Sequence, residues 1–175
     1  AVTATATPKV LEDISKELNL INPKVFRNSF ERKNINYQVR YTGNKIGALK
    51  EILTQPEASV IIYCRSRSKV ESTVQQIQRW GMKANFYHGG LEAGLKKKRL
   101  EEWKNETYPI MVATSAFGMG IDKSNVRKVI HLLIPESMES YYQEMGRGGR
   151  DGLPTEGILL VNPSDKKRLQ NQFLS

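Results

Sequence analysis

The 175-residue chain is long enough for one domain with a hydrophobic core and a piece of a neighbour, and too short for two full domains. With 39% hydrophobic residues, 26% charged residues, 13 Gly and 7 Pro, it has the composition of a globular protein and not of a disordered, collagen-like or membrane chain. Its 27 Lys plus Arg against 18 Asp plus Glu leave a net charge of +9, which suits a polyanionic partner without identifying one.

The chain opens at Ala1, with neither a Met nor the basic start and apolar block of a secretory signal, and is read as a fragment. In TATATPKVLEDISKELNL a small-residue turn leads to a helix with Thr7 as N-cap and Pro8 at its first position. Val10, Leu11, Ile14 and Leu18 give that helix an apolar face. INPKVFRNSFERKN has no sustained period and reads as a linker. Residues 1–21 are therefore expected to end a preceding domain, 22–34 to connect, 35–165 to form the main domain, and 166–175 to begin a following segment. Ile35, Tyr37, Val39 and Tyr41 alternate with polar residues, as a half-buried strand does. KIGALKEIL is then a helix, and the apolar SVIIYC is a strand buried on both faces. SRSKVESTVQQIQRWG reads as a helix with a capping box at Ser68 and Glu71, a face of Val70, Val74 and Ile77, and a stop at Gly81.

The alternation continues with ANFYH as strand and EAGLKKKRLEEWKN as a helix turning Leu95, Leu100 and Trp103 inward. PIMVAT and VRKVIHLL come next as strands. SMESYYQEM is a helix with an apolar face of Met138, Tyr141, Tyr142 and Met145, and EGILLVN is the last strand. Repeated strand–helix units imply an α/β domain whose mostly parallel sheet is covered by helices on both faces. Ligands gather at the carboxyl ends of such strands, where the polar and glycine-rich segments are expected to fall.

No G-x-x-x-x-G-K-[ST] segment is present to wrap nucleotide phosphates, and no acidic pair follows an apolar strand, so the chain alone is not expected to turn over ATP. Cys64, the single cysteine, rules out an internal disulfide and a multi-cysteine zinc site, and favours a reducing compartment. A phosphatase loop needs Arg six positions after its cysteine; Val70 stands there, leaving a buried structural thiol. In SYYQEMGRGGRDG, Arg147 and Arg150 sit among Gly146, Gly148, Gly149 and Gly152, where guanidinium groups can reach phosphate oxygens; a glycine turn with solvated arginines is the alternative. In VATSAFGMGIDKSNVR, the Thr114 and Ser115 hydroxyls suit a phosphodiester and Asp122 a ribose, against a plain capped turn. Ser66 and Arg67 open a helix and form a ready anion site, against simple capping by Ser68. His88, Gly89 and Gly90 follow a strand; His88 and His131 are the only histidines, too few for a zinc constellation. KKKR at 96–99 and DKKR at 165–168 read as solvated faces.

Taken in order, these segments resemble the second motor domain of the RecQ family of DNA helicases, in helicase superfamily two. TATAT looks like the coupling motif near the end of the first motor domain, IIYCRSRSKVE like motif IV, and YHGGL like the element after it. VATSAFGMGIDKSNVRKVIH looks like motif V and SYYQEMGRGGRDG like motif VI, so the likeness runs to about Asp165. Gly148 departs from the family's usual alanine, a change expected to loosen the loop while leaving both guanidiniums. The resemblance implies a RecA-like three-layer fold in an enzyme that clamps ATP and Mg2+ between two such domains and moves 3′ to 5′ along single-stranded DNA. Arg150 would be the arginine finger, catalytic together with Arg147. Gly120, Asp122, Gln143, Arg147 and Arg150 would face the nucleotide. Ser66, Arg67, His88, Gly89, Thr114 and Ser115 would line the DNA track. The partners implied are single-stranded or partly duplex DNA and the first RecA-like domain, with no membrane. The location implied is the cytoplasm of a bacterium or the nucleus of a eukaryote. No metal is assigned to these residues, and the family's Zn2+ belongs to a segment that would come after this chain. A stand-alone nucleic-acid-binding module is the alternative; a related RNA helicase is disfavoured by the sequence from Gln143 through Gly149.

Overall fold

A strand as apolar as residues 59–63 can be buried on both faces only inside a sheet, and the computed structural model puts it there, between two other strands. The structure describes residues 8–26, 32–54, 58–118 and 121–165. In chain order these form α1 (Pro8–Glu17), β1 (Ile35–Tyr41), α2 (Lys45–Ile52), β2 (Ser59–Tyr63), α3 (Arg67–Arg79) and β3 (Ala84–Tyr87). They continue as α4 (Ala93–Lys104), β4 (Ile110–Ala113), β5 (Val126–His131), α5 (Met138–Met145) and β6 (Thr155–Val161). The strands make one six-stranded sheet, parallel throughout, in the order β1-β6-β5-β2-β4-β3. This is the α/β arrangement expected. Among the described residues no helix is long and apolar enough to cross a membrane.

Strand alternation divides the core into two layers. On one face Leu49, Leu53, Val70, Val74 and Ile77 of the α2 and α3 regions pack on Val60, Ile62, Ile110, Val112, Ile130, Ile158 and Leu160. On the other, Trp103 of α4, Met145 of α5 and Phe117 pack on Ile61, Tyr63, Met111 and Val129. Burying a side chain of this size contributes about 1.5–3 kcal/mol, so these two layers hold the helices on the sheet.

Several expectations are corrected. The N-cap of α3 is Ser66, not Ser68: its Oγ accepts from Lys69 N at 3.3 Å, because β2 ends close enough that the helix starts two residues early. Glu71, freed from a capping box, bonds His88 instead. Gly81 closes α3 as expected, with φ +80 in the left-handed region. In β1 only Ile35 is buried, while Tyr37, Val39 and Tyr41 become progressively more exposed, since α5 covers only the amino end of this edge strand. The α5 face divides likewise, with Met145 in the core and Met138 and Tyr142 exposed. Leu95 is exposed, leaving Leu100 and Trp103 to seat α4. The KKKR run is only partly solvated: Lys96 Nζ donates to Gly89 O at 2.9 Å, and Arg99 lies 3.5 Å over the Phe86 ring. Thr7 and Lys166–Arg168 lie outside the described residues.

The outer edge of β3 carries its own cover. Tyr87 O faces β4, accepting from Thr114 N, so the backbone of Ala84 and Phe86 points outward. Gln78 Nε2 donates to Ala84 O and Arg99 Nη1 to Phe86 O, each at 2.9 Å, while Phe86 N donates to Asn85 Oδ1.

Candidate functional site

Two groups of residues with binding chemistry come together, at opposite ends of the sheet. At the carboxyl end, β2, β3 and β4 stop side by side at Tyr63, Tyr87 and Ala113. The turns beyond them bring Arg65, Ser66, Arg67, Ser68, Gly89, Thr114, Ser115 and Ala116 around an open cleft of about 660 Å³. The α3 amino terminus adds its unpaired N–H groups and positive dipole end. Gly90 lets Arg67 lie across the turn, for a Cβ there would stand 2.6 Å from Arg67 Nη1. Hydroxyls, amides and guanidiniums with no carboxylate in the lining suit a sugar–phosphate backbone. His88 differs from the expectation: it is buried, stacked on Phe86, with Nε2 3.1 Å from Glu71 Oε1, and so supports the Gly89–Gly90 turn from beneath.

The glycine–arginine loop after α5 is not at the carboxyl end, where the glycine-rich segments were expected. Helix α5 carries the chain back across the sheet, and Gly149 N donates to Val126 O at the first residue of β5. The loop's two arginines are in different states. Arg147 is partly buried and donates from Nη1 to Gly118 O, and its Nε is buried with no hydrogen-bond partner among the described residues. Gly118 gives this contact room, since a Cβ would come within 2.9 Å of Arg147 Nη2 and 3.3 Å of Ser115 O. Arg150 is 37% exposed and pairs through Nη1 with Asp122 Oδ1 at 2.7 Å. Asp122 is 82% exposed, and so open an ion pair is worth no more than about 1 kcal/mol, which leaves this guanidinium ready for another anion. Gln143 is exposed on α5 one turn before Arg147, and Gly120 lies outside the described residues.

The segment from Thr114 to Asn125 joins the two ends: it leaves the cleft, passes Gly118 under Arg147, presents Asp122 to Arg150 and enters β5. Tyr63, not foreseen as a site residue, pins it from within by donating to Phe117 O at 3.0 Å. Burial pushes the Tyr63 hydroxyl far above the ordinary tyrosine range, against the lowering influence of Arg147, so it remains a donor. Arg32 and Asn34, in the stretch read as a linker, bond the glycine–arginine loop at Gly149 O, and no local pattern marks them. The one sequence signal for Tyr63 is a polar atom ending a strand that is otherwise buried on both faces. Among the described residues no group of three or more His, Cys, Asp or Glu gathers where a metal could bind.

Residues 44–152 match the helicase conserved C-terminal domain. The ATP-dependent DNA helicase RecQ of Pasteurella multocida is 45% identical over 166 residues, 94% of this chain and 26% of that protein. The RecQ protein of Bacillus subtilis is 43% identical over 94% of this chain and 28% of its own length. The chain thus spans about a quarter of the length of these curated relatives. Among solved structures, the Escherichia coli DEAD-box protein SrmB, bound to regulator of ribonuclease activity A, matches with TM-score 0.67 and 25% identity, covering 75% of this chain and 78% of that one. A DEAD-box protein of Methanococcus jannaschii matches with TM-score 0.72 and 24% identity, over 95% of this chain and 46% of that one, a likeness of fold. With its parallel RecA-like sheet and this match over most of its length, the chain belongs to the helicase conserved C-terminal domain family, in the form found in RecQ-type helicases.

Proposed function

We propose that this chain is the second motor domain of an ATP-dependent 3′ to 5′ DNA helicase, inactive as an ATPase without a preceding domain that carries a P-loop. In this reading residues 1–21 are the tail of the first RecA-like domain, 22–34 the connection, 35–165 the second motor domain and 166–175 the start of the next segment. The observation that carries it is the segment 114–125, which touches the cleft at one end of the sheet and the exposed Arg150 at the other.

The cleft binds single-stranded DNA through its backbone, with Ser66, Arg67, Gly89, Thr114 and Ser115 as contacts that read no base. His88 holds their turn in place. Arg150 is the arginine finger: half-exposed and held by one solvated carboxylate, it fits a phosphate of a nucleotide bound across the interdomain cleft. Bound ATP with Mg2+ supplies the phosphoryl group that passes to water, and the metal is held by the P-loop domain. As the domains close, Arg150 exchanges Asp122 for the phosphates and stabilises negative charge on the transferring group. Arg147, fixed on Gly118, keeps the finger and the DNA-contacting segment in register, and Gln143 lies on the nucleotide side.

The test uses the full-length protein. Arg150→Ala leaves ATP and DNA affinity within a few fold and lowers turnover by roughly a thousandfold, the usual worth of such a finger. Arg150→Lys restores little, because an ammonium lacks the planar fork. A mutant rate within about threefold of the parent at saturating ATP and DNA removes Arg150 from the catalytic machinery.

A further inference from the structure

We infer that Arg32 and Asn34 are positioning residues for Arg150, holding the finger loop in shape and tying it to the stretch of chain that leads into β1. The inference rests on the reading of Arg150 as the finger.

The loop from Gly146 to Leu153 holds four of its residues as glycine, and such a segment has much conformational freedom to lose. It also begins where α5 ends, so its first carbonyls lack donors from within the helix and sit at the negative end of the helix dipole. A cation with several N–H groups answers both needs. Arg32 supplies it, Nη2 donating to Gly149 O at 2.9 Å and Gly148 O at 3.1 Å, and Nη1 reaching Gly146 O at 3.4 Å. Asn34 Nδ2 donates to Gly149 O at 2.8 Å and Leu153 O at 3.0 Å. These two side chains therefore bond the loop on both sides of Arg150, at the residue before it and three residues after.

The arrangement excludes side chains that would disturb it. Gly149 has φ +54, and a Cβ there would stand 2.4 Å from Asn34 Nδ2 and from Thr155 Oγ1. The clamp is itself anchored, for Ile35 N donates to Arg32 O at 3.0 Å and Thr155 N to Asn34 O at 2.9 Å, fixing both residues where β1 and β6 begin. Without it the loop would keep backbone bonds such as Gly149 N to Val126 O and Gly148 N to Met145 O, the Arg147 contact with Gly118 O and the Arg127–Asp151 ion pair, none of which holds the carbonyl of Gly148. A charged group stabilises a transition state in proportion to how well it is placed beforehand, so the clamp acts on the rate through Arg150. The chain from α1 reaches the sheet through this same stretch, so displacement of whatever lies before β1 is passed to the finger loop by two side chains.

The experiment is a double-mutant cycle in the full-length protein, comparing Arg32→Ala, Arg32→Lys and Asn34→Ala in the parent and in Arg150→Ala. Readouts are kcat and KM for ATP at saturating single-stranded DNA, DNA affinity and the thermal midpoint. Arg32→Ala is expected to lower kcat by roughly ten- to a hundredfold, with KM and DNA affinity within about threefold. Arg32→Lys recovers only part of the loss, because lysine is shorter and offers one nitrogen where Arg32 uses two. Added to Arg150→Ala, Arg32→Ala costs nothing further in kcat, since both act on one step. If Arg32→Ala proves unfolded, Asn34→Ala, which removes two of the bonds, is read by the same criteria. A kcat close to the parent's while Arg150→Ala is crippled overturns the clamp and leaves the finger standing. So does a loss of the same size in both backgrounds, which would mark a general structural role. Full turnover by Arg150→Ala overturns the finger and the clamp together.

Discussion

Gly148, which departs from the alanine that the resemblance to RecQ helicases implies, is closely surrounded by other atoms. A Cβ built there would lie 2.6 Å from Thr155 Cγ2 and 3.3 Å from both Met145 O and Val129 Cγ2, whereas carbon atoms pack best at about 3.5–4.0 Å. Thr155 cannot easily swing away: it is β-branched, it is buried, and its Oγ1 lies 3.2 Å from the carbonyls of both Val126 and Leu153. Gly148→Ala is therefore expected to destabilise the chain by about 1–3 kcal/mol through overpacking. Thr155→Ser removes the obstructing methyl at a cost of about 1 kcal/mol. Gly148 is not among the glycines with positive φ, so its backbone accepts alanine. In the Thr155→Ser background the 3.3 Å approaches to Met145 O and Val129 Cγ2 remain and offset the roughly 0.5 kcal/mol that alanine gains by reducing the freedom of the unfolded chain, so Gly148→Ala should be close to neutral. The cost of the substitution thus nearly vanishes in the second background, a coupling of about 1–3 kcal/mol between adjacent groups, within the usual range. Urea unfolding followed through fluorescence of the buried Trp103 measures all four corners of this cycle. Equal costs for Gly148→Ala in both backgrounds would refute the explanation, and the loop would owe its glycine to something other than Thr155.

Cys64 is 2% exposed, and burial pushes its thiol up to about 11, so a thiol reagent at pH 8 should label it only after urea is added. With the folded value above the unfolded one of about 8.5, this group's contribution to stability is complete below pH ~8.5 and lost as pH rises to about 11. Rapid labelling of the folded chain would contradict that burial. His131 is fully buried, with Nε2 2.7 Å from Glu144 Oε2 and Nδ1 without a partner among the described residues. Glu144→Ala leaves both ring nitrogens unsatisfied and should cost about 1–3 kcal/mol, while Glu144→Gln keeps an acceptor and costs less; a thermal midpoint unchanged by Glu144→Ala would go against this.

The layers of the fold were legible because their signals are local. The apolar run at 59–63 and the spacing of Val70, Val74 and Ile77 each require a particular neighbour whatever lies elsewhere in the chain. The extent of cover was not legible: alternation in β1 shows which side chains share a face, but not that α5 reaches Tyr37 with its own tyrosines and leaves Val39 and Tyr41 uncovered. On paper Ser68, with Glu71 three residues on, is the better cap, and the end of β2 decides for Ser66 instead. The cleft could be anticipated because its hydroxyls and arginines directly follow strands, although that same position let His88 turn inward. The arginine loop was assigned to the wrong end of the sheet because glycine content outweighed the simpler point that a helix leaving a carboxyl end delivers the chain to an amino end. The grip of Arg32 and Asn34 on that loop joins residues more than a hundred positions apart, a distance over which no periodicity carries information.

The covered rim of β3 bears on how such a domain survives in a cell. An open strand edge invites a foreign strand to add itself, and the invitation is strongest while a chain is still being made and its neighbours are missing. Here three outward backbone groups of β3 are answered by Gln78, Asn85 and Arg99, side chains on α3, on the strand itself and on α4. All three precede β4 in the chain, so the guard is synthesised before the sheet it protects is finished, and along this side fewer backbone groups are open to fibril growth or mistaken pairing.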